Sequence, residues 1–157
     1  MNSIIFHGLS RAGIPSTKEP VGLSRSDGKR PDGVTQIPWQ NGKLAVWDVT
    51  VADTLATSYI ARTSLIGGSA AESAEVRKSN KYQELSNNNI FIPLAFETLG
   101  PIGKEAINFI REVGRRTAIA TDDPRETAFL FQQLSVAVQR FNSHIVKGSF
   151  PENFDFP

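Results

Sequence analysis

Alternating β-forming and polar residues predict a sheet in the first third of the chain. Residues 32 to 39 and 43 to 52 are both rich in β-forming residues, and Gln40-Asn41-Gly42 separates them. An Asn-Gly pair between two such runs is a strong indication of a tight hairpin turn. Residues 16 to 23 predict a further short strand that carries Glu19. We therefore expect three consecutive strands in this part of the chain.

Helical periodicity and one more apolar run account for most of the remaining sequence. The clearest helix is predicted for residues 70 to 86, with Ser69 and Glu72 as a capping box at its start. An apolar strand is predicted for residues 90 to 98. Further helices are predicted for residues 1 to 12, 104 to 120 and 124 to 147.

This order of elements predicts an α/β fold with a mixed four-stranded sheet, in which a helix crosses over from the third strand to the fourth. The 157 residues, 39% of them hydrophobic, suffice for one core. We expect a single domain over residues 1 to 147 with a C-terminal helical extension, followed by a flexible tail from 148 to 157. No apolar run is long enough to span a bilayer, so we expect a soluble intracellular protein.

The composition limits the chemistry that this fold can carry. The chain has no cysteine, and its two histidines, His7 and His144, are far apart in the sequence. Disulfides, zinc ribbons and thiol catalysis are therefore excluded. Carboxylates would have to provide most of the ligands of any metal, and they suit Mg²⁺ or Mn²⁺. The net charge of +1 does not decide whether the chain binds nucleic acid, because binding depends on local charge.

Two aspartates in the predicted hairpin are candidates for such a metal site. Asp48 lies in a strand whose two faces are both largely apolar, so this strand is expected to be central. A buried acid is costly unless a metal, a cation or a proton compensates it. Asp32 opens the strand before the Asn-Gly turn, and the hairpin is expected to bring it beside Asp48.

Two lysines lie on the apolar stripe of the helix predicted for residues 70 to 86. Lys78 and Lys81 share this stripe with Ala71, Ala74, Tyr82 and Leu85. One explanation is that their amines extend from the edge of the stripe to water, which fits Lys81 better than Lys78. The other is that one amine reaches the carboxylates on the sheet, where it could position a water or offset negative charge. A purely structural pairing of Asp48 with a buried lysine is a third interpretation.

Three segments together resemble a known family. Arg30-Pro31-Asp32, Val46-Trp47-Asp48-Val49-Thr50-Val51 and Lys78-x-x-Lys81-Tyr82 resemble the restriction-like endonuclease domain of site-specific non-LTR retrotransposons. That domain is a branch of the PD-(D/E)xK nuclease superfamily. The resemblance covers about residues 1 to 105, and Gly114-Arg115-Arg116 is similar to the distal region of such elements.

The resemblance implies a restriction-endonuclease-like αβββαβ core and a Mg²⁺- or Mn²⁺-dependent DNA endonuclease. Asp32 and Asp48 correspond to the metal-binding acids of the motif. The superfamily pattern has a lysine two residues after the second acid, where this chain has Thr50. In the retrotransposon branch the following helix supplies that lysine, which implies a catalytic role for Lys78 or Lys81. We favour Lys78 because it lies near the centre of the stripe.

The resemblance also suggests further residues and partners. Glu19 is either a third metal ligand or a surface residue. DNA contacts are expected from five residues near the acids and the lysines: Arg25, Lys29, Arg30, Arg77 and Tyr82. The family implies a nuclear location and a partner in the reverse transcriptase of a retrotransposon polyprotein, whose target DNA the domain nicks. The alternative function is a catalytically silent module of the same fold that binds nucleic acid or protein.

Overall fold

The computed structural model of the chain describes residues 1–23 and 26–149. Within these residues the helices are α1 (Asn2–Arg11), α2 (Ile60–Thr63), α3 (Ser69–Lys81), α4 (Lys104–Thr121) and α5 (Glu126–Gly148). The strands are β1 (Ser16–Lys18), β2 (Gly33–Thr35), β3 (Leu44–Ala52) and β4 (Asn89–Glu97). Short 3-10 helices occupy Val21–Leu23 and Gln83–Asn87. The order helix, three strands, helix, strand and two helices confirms the prediction, with α2 as an unpredicted addition.

The four strands form one open, mixed sheet in the order β1-β2-β3-β4. β2 pairs antiparallel with both β1 and β3, whereas β3 and β4 are parallel and are connected through α3. The predicted α/β class and mixed sheet are therefore confirmed. β3 is an inner strand, as expected from its two apolar faces. No helix within the described ranges combines the length and the apolarity that a membrane span requires.

Both faces of the sheet are covered. On one face, Trp47 of β3 and Phe96 of β4 belong to a large core cluster that also contains buried residues of α1, α4 and α5. On the other face, Ala52 of β3 and Ala95 of β4 pack against three alanines of α3: Ala70, Ala71 and Ala74. Small side chains on both surfaces allow a helix to approach a sheet closely. The rest of α3 is thereby held near the middle of β3.

The hairpin turn agrees with the sequence, but the strands before it are shorter than expected. Asn41 and Gly42 both have positive φ, 51° and 71°, as an Asn-Gly turn of the primed type requires. β2 ends at Thr35, whose hydroxyl accepts the N–H of Ala45 at 3.0 Å in place of a backbone carbonyl. β1 ends before Glu19, which has φ 47°. The strand predicted for residues 16 to 23 is therefore wrong in its second half.

The predicted capping box of α3 is also wrong. The N-cap is Gly68, with φ 88°. A glycine has no side chain that could accept a hydrogen bond from the helix. Instead, the fully buried Glu97 at the end of β4 accepts the N–H groups of Ala70 and Ala71 at 2.9 and 3.2 Å. A carboxylate at a helix N-terminus satisfies free N–H donors and interacts favourably with the helix dipole. Glu97 therefore fixes the start of the helix that carries both candidate lysines.

We predict that Glu97→Ala lowers the free energy of unfolding by about 2 to 4 kcal/mol, because it leaves buried donors without an acceptor. Urea denaturation measures this loss. The matched control is Glu72→Ala, which removes an exposed acid from the first turn of the same helix and should change stability by less than about 0.5 kcal/mol. Equal losses for the two variants would contradict capping by Glu97.

Candidate metal site

The sheet register brings three acidic residues into one row. β1 pairs Lys18 with Gly33, and β2 pairs Gly33 with Trp47. One further step along both registers puts Glu19, Asp32 and Asp48 side by side on neighbouring chain segments. Hydrogen bonds connect these segments: Glu19 N donates to Asp32 O, and Asp32 N donates to the carbonyl of Trp47, the residue before Asp48, each at 3.0 Å. The expectation that the hairpin brings Asp32 beside Asp48 is met.

The carboxylate of Asp32 is held against β3. Its Oδ2 accepts the backbone N–H of Val49 at 2.6 Å. Partial burial raises the pKa of the Asp32 carboxyl above its ordinary value of 3.8, and the negative charges of Asp48 and Glu19 raise the pKa further. The N–H of Val49 and the positive charge of Lys78 act in the opposite direction. Asp32 therefore interacts electrostatically with both other acids of the row and with one of the candidate lysines.

Asp48 forms an ion pair with Lys78 across the gap between β3 and α3. The carboxylate is buried, with 5% of Asp48 exposed, and Lys78 Nζ lies 2.6 Å from its Oδ2. The lysine side chain is 26% exposed, so its amine also has access to solvent. The Oδ2 atom is buried, and apart from this ion pair it has no hydrogen-bond partner in the described part of the chain. This oxygen therefore keeps the capacity to accept another ligand.

Lys78 reaches Asp48 because both lie in the layer between the sheet and α3. Asp48, Thr50 and Ala52 share one face of β3, since alternate residues of a strand point to the same side. Ala52 contacts the alanines of α3, and Lys78 follows Ala74 by one helical turn. Thr50, at the position where the superfamily motif has lysine, buries its hydroxyl without a hydrogen-bond partner among the described residues. The Lys78 amine thus reaches this face from α3 instead of from the strand.

The other predicted site residues surround this centre at different depths. Lys81 lies near the end of α3 and is partly buried. Glu19 is exposed at the outer end of the acidic row. Lys29 and Arg30 are exposed beside that row, and Arg30 Nη1 donates to Glu19 O at 3.5 Å. Arg25 lies outside the described residues.

Two residues expected to contact DNA have partners within the protein. The exposed Arg77 bonds to the hydroxyl of Tyr59, and its guanidinium lies 5.3 Å from the centre of the Tyr59 ring. Tyr82 is only 2% exposed, its ring stacks on Phe91, and its hydroxyl donates to Arg30 O at 3.4 Å. A ring buried to this extent cannot stack on a base. Tyr82 therefore does not fit the expected role and packs beneath the segment that carries Arg30.

One residue of this region is missing from the sequence-based prediction. The side-chain amide of Asn2, at the start of α1, donates to Asp32 O at 3.1 Å. Its oxygen accepts Trp47 Nε1–H at 2.9 Å. The sequence contains no signal for this contact, because Asn2 is far from the hairpin along the chain and shares no periodicity with it.

Asp32 and Asp48 form a two-carboxylate set. Among residues 1–23 and 26–149 no group of three or more His, Cys, Asp or Glu side chains is arranged to hold a metal. Mg²⁺ commonly uses only one or two carboxylates and completes its shell with water and substrate phosphate oxygens. The carboxylate oxygens of Asp32 and Asp48, including the buried Oδ2 that the Lys78 amine contacts, therefore fit a hard divalent cation of this kind.

We predict that Asp32→Asn makes the protein slightly more stable at neutral pH, by less than about 1 kcal/mol because solvent screens the partly exposed site. The raised pKa means that the folded protein holds this proton more tightly than the unfolded chain. The ionised Asp32 carboxylate therefore lowers the free energy of unfolding. This loss is absent below pH 3.8, and it grows as the pH rises from 3.8 through the pKa of the folded protein. Unfolding curves at several pH values for both proteins measure the difference.

A matched control should respond in the opposite direction. Hydrogen bonds from Arg125 lower the pKa of Asp123 to about 2. Asp123→Asn should therefore lose stability at neutral pH, and the difference should shrink as pH falls from 3.8 towards 2. A loss of stability in Asp32→Asn at neutral pH that grows with pH would contradict the repulsion among the three acids.

No protein-family model matches the chain, and a search of the curated proteins gives no match either. The interpretation of the site therefore depends on its own geometry, in which a buried acid, a second acid beside it and an amine from the crossover helix meet on one face of the sheet.

Proposed function

We propose that this protein is a metal-dependent DNA endonuclease with a restriction-endonuclease-like core. The observation that supports this most directly is the convergence of Asp32, Asp48 and Lys78. Asp32 accepts a hydrogen bond from the residue after Asp48, and the amine of Lys78 lies 2.6 Å from Asp48. These residues come from a loop, a strand and a helix, and they are residue types that can serve a metal-dependent hydrolysis of a phosphodiester.

The element order also supports the proposal. A helix, three strands, a crossover helix and a parallel fourth strand follow one another, with Asp32 directly before β2 and Asp48 in the middle of β3. This is the arrangement that the resemblance to retrotransposon nuclease domains implies. In that family the lysine is supplied by the helix after the strand and not by the position of Thr50. Lys78 lies on the corresponding helix, α3.

Each side chain has a definite task in this proposal. Asp32 and Asp48 hold Mg²⁺ or Mn²⁺, which when bound polarises the scissile phosphate and lowers the pKa of a bound water. Lys78, which is partly exposed, contacts the phosphate or the attacking water and offsets negative charge as the bond breaks. Glu19 influences the site through its charge on Asp32.

The substrate side of the site is basic. Lys29 and Arg30 are exposed next to the acidic row, and Arg77 is exposed on α3 one residue before Lys78. These residues are suited to phosphate contacts, which position DNA without reading its sequence. We propose that the domain nicks DNA in the nucleus next to a reverse transcriptase, as the resemblance implies. Target choice would then depend on other parts of such a polyprotein.

A catalytically silent binding module is the second candidate, and one observation favours it. The Lys78 ammonium compensates the buried charge of Asp48 without any metal. A buried acid paired with a lysine can be purely structural, since removing either partner is costly. The two candidates differ in whether Asp48 exchanges its lysine for a metal ion.

We predict that the protein converts supercoiled plasmid to nicked circles in the presence of Mg²⁺ or Mn²⁺ and that EDTA stops the reaction. Asp32→Asn and Asp48→Asn should each lower the rate by at least about 100-fold, because each removes a metal ligand. Agarose gel electrophoresis of the products measures the rates. Asp53→Asn, an exposed acid just beyond β3, is the matched control and should retain activity.

Supercoiled, branched and single-stranded substrates should all be tested with the wild-type protein. DNA binding without cleavage of any of them, with either metal, would overturn the enzyme proposal and favour the silent module.

The two lysines should behave differently. We predict that Lys78→Ala lowers cleavage by about 100-fold or more while DNA binding persists, because it removes a charge that acts on the reacting phosphate. The same variant should bind Mn²⁺ at least as tightly as the wild type, since the ammonium no longer competes for Asp48. Lys81→Ala should mainly weaken DNA binding and reduce its salt dependence. Equal, partial losses of cleavage in both variants would show that neither lysine is catalytic.

A further inference from the structure

The side chain of Asn2 links α1 to Asp32 and to Trp47, the residue before Asp48. Its Nδ2 donates to the backbone carbonyl of Asp32 at 3.1 Å, and its Oδ1 accepts the indole N–H of Trp47 at 2.9 Å. An asparagine amide has a donor end and an acceptor end, and here each end has a different partner. The residue therefore connects the segment before β2 to the residue that precedes Asp48.

The indole of Trp47 is held rigidly in place. Trp47 is fully buried, and β2 pairs Gly33 with it. A Cβ atom on Gly33 would lie 2.0 Å from Cζ2 of the indole, so only glycine allows the ring to cross β2 at this point. The indole N–H therefore has a fixed direction, and it fixes the orientation of the Asn2 amide.

Asp32 lies just before the regular ladder of β2, and its N–H donates to Trp47 O at 3.0 Å. β2 begins at Gly33, so Asp32 precedes the first paired residue of that strand. Its carbonyl accepts two N–H donors, from Glu19 at 3.0 Å and from Asn2 at 3.1 Å. Its carboxylate then reaches Val49 N at 2.6 Å. Rotation of this peptide would move the carboxylate away from β3.

We propose that Asn2 is a positioning residue for Asp32, with the buried Trp47 indole and the bare backbone of Gly33 as its rigid frame. This inference rests on the proposed function, because it gives the Asn2 amide the task of holding a metal ligand. Asn2 bonds to the backbone of Asp32 and does not touch substrate. Through that backbone it determines where the Asp32 carboxylate stands relative to Asp48.

Amide hydrogen exchange tests the positioning directly and without metal. In Asn2→Ala, exchange of the Val49 N–H should accelerate by about 10-fold, because its acceptor is the Asp32 carboxylate. Asn2→Asp, which keeps an acceptor for Trp47 but loses the donor to Asp32, should show the same acceleration. The Ala45 N–H is the internal control, since it lies on the same strand and bonds to the Thr35 hydroxyl. Its exchange should stay unchanged in both variants.

A second measurement tests whether this positioning matters for metal binding. The free-ion signal in electron paramagnetic resonance gives the Mn²⁺ affinity of the same protein. Asn2→Ala should bind Mn²⁺ about 10-fold more weakly, as expected when a residue that orients a ligand is removed. Unchanged Val49 exchange, or equal acceleration at Val49 and Ala45, would overturn the positioning role. The exchange could instead accelerate only at Val49 in the variants while the wild-type protein binds no Mn²⁺. That result would support the positioning contact and refute the metal site.

Discussion

The burial of Asp48 in the inner strand is the constraint on which the rest of this structure depends. A carboxylate with 5% exposure needs a cation, hydrogen-bond donors or a proton to compensate it. The compensation comes from Lys78, which requires that α3 pack closely on β3 and β4. The alanine layer makes that approach feasible, and Glu97 holds the first turn of the helix in place. The packing of the crossover helix thus holds the Lys78 amine against Asp48.

Two other buried acids, Glu97 and Glu75, are compensated by backbone N–H groups. Glu97 accepts N–H groups at the start of α3, and Glu75 on α3 accepts those of Glu105 and Ala106 at 3.1 and 3.0 Å at the start of α4. Burial still raises the pKa of Glu75, although these N–H groups lower it. Backbone donors at a helix terminus are fixed in position. The Lys78 amine is on a long, partly exposed side chain and can move, as can the Arg11 guanidinium that pairs with the buried Glu126.

The sequence was sufficient to predict the order of the main elements and the position of Asp48 in an inner strand, because both follow from local patterns. The Asn-Gly turn determines the hairpin, and alternation along β3 assigns Asp48 to a covered face. Lys78 could be selected over Lys81 because helical periodicity places it nearer the centre of the stripe. These signals all lie within short windows of the sequence.

The remaining features depend on contacts between distant segments. Glu97 caps α3 by accepting the N–H of Ala70, which lies 27 residues earlier in the chain, so a local capping motif at Ser69 is a misleading signal. Tyr82 falls on the same stripe as the lysines, but stacking on Phe91 buries it. Asn2 gains its importance only when α1 packs beside the hairpin. Periodicity indicates which face a side chain occupies, but it does not identify the partner that the side chain finds there.

The central claim is that Asp48 exchanges its lysine for a divalent cation shared with Asp32. Crystals of the protein soaked in Mn²⁺ test this most directly, because anomalous scattering at the manganese edge locates the ion independently of any activity. The account predicts one strong peak at bonding distance from both carboxylates, with the Lys78 amine displaced from Asp48. Crystals saturated with Mn²⁺ that retain the Lys78 contact and show no manganese between the two aspartates would contradict it.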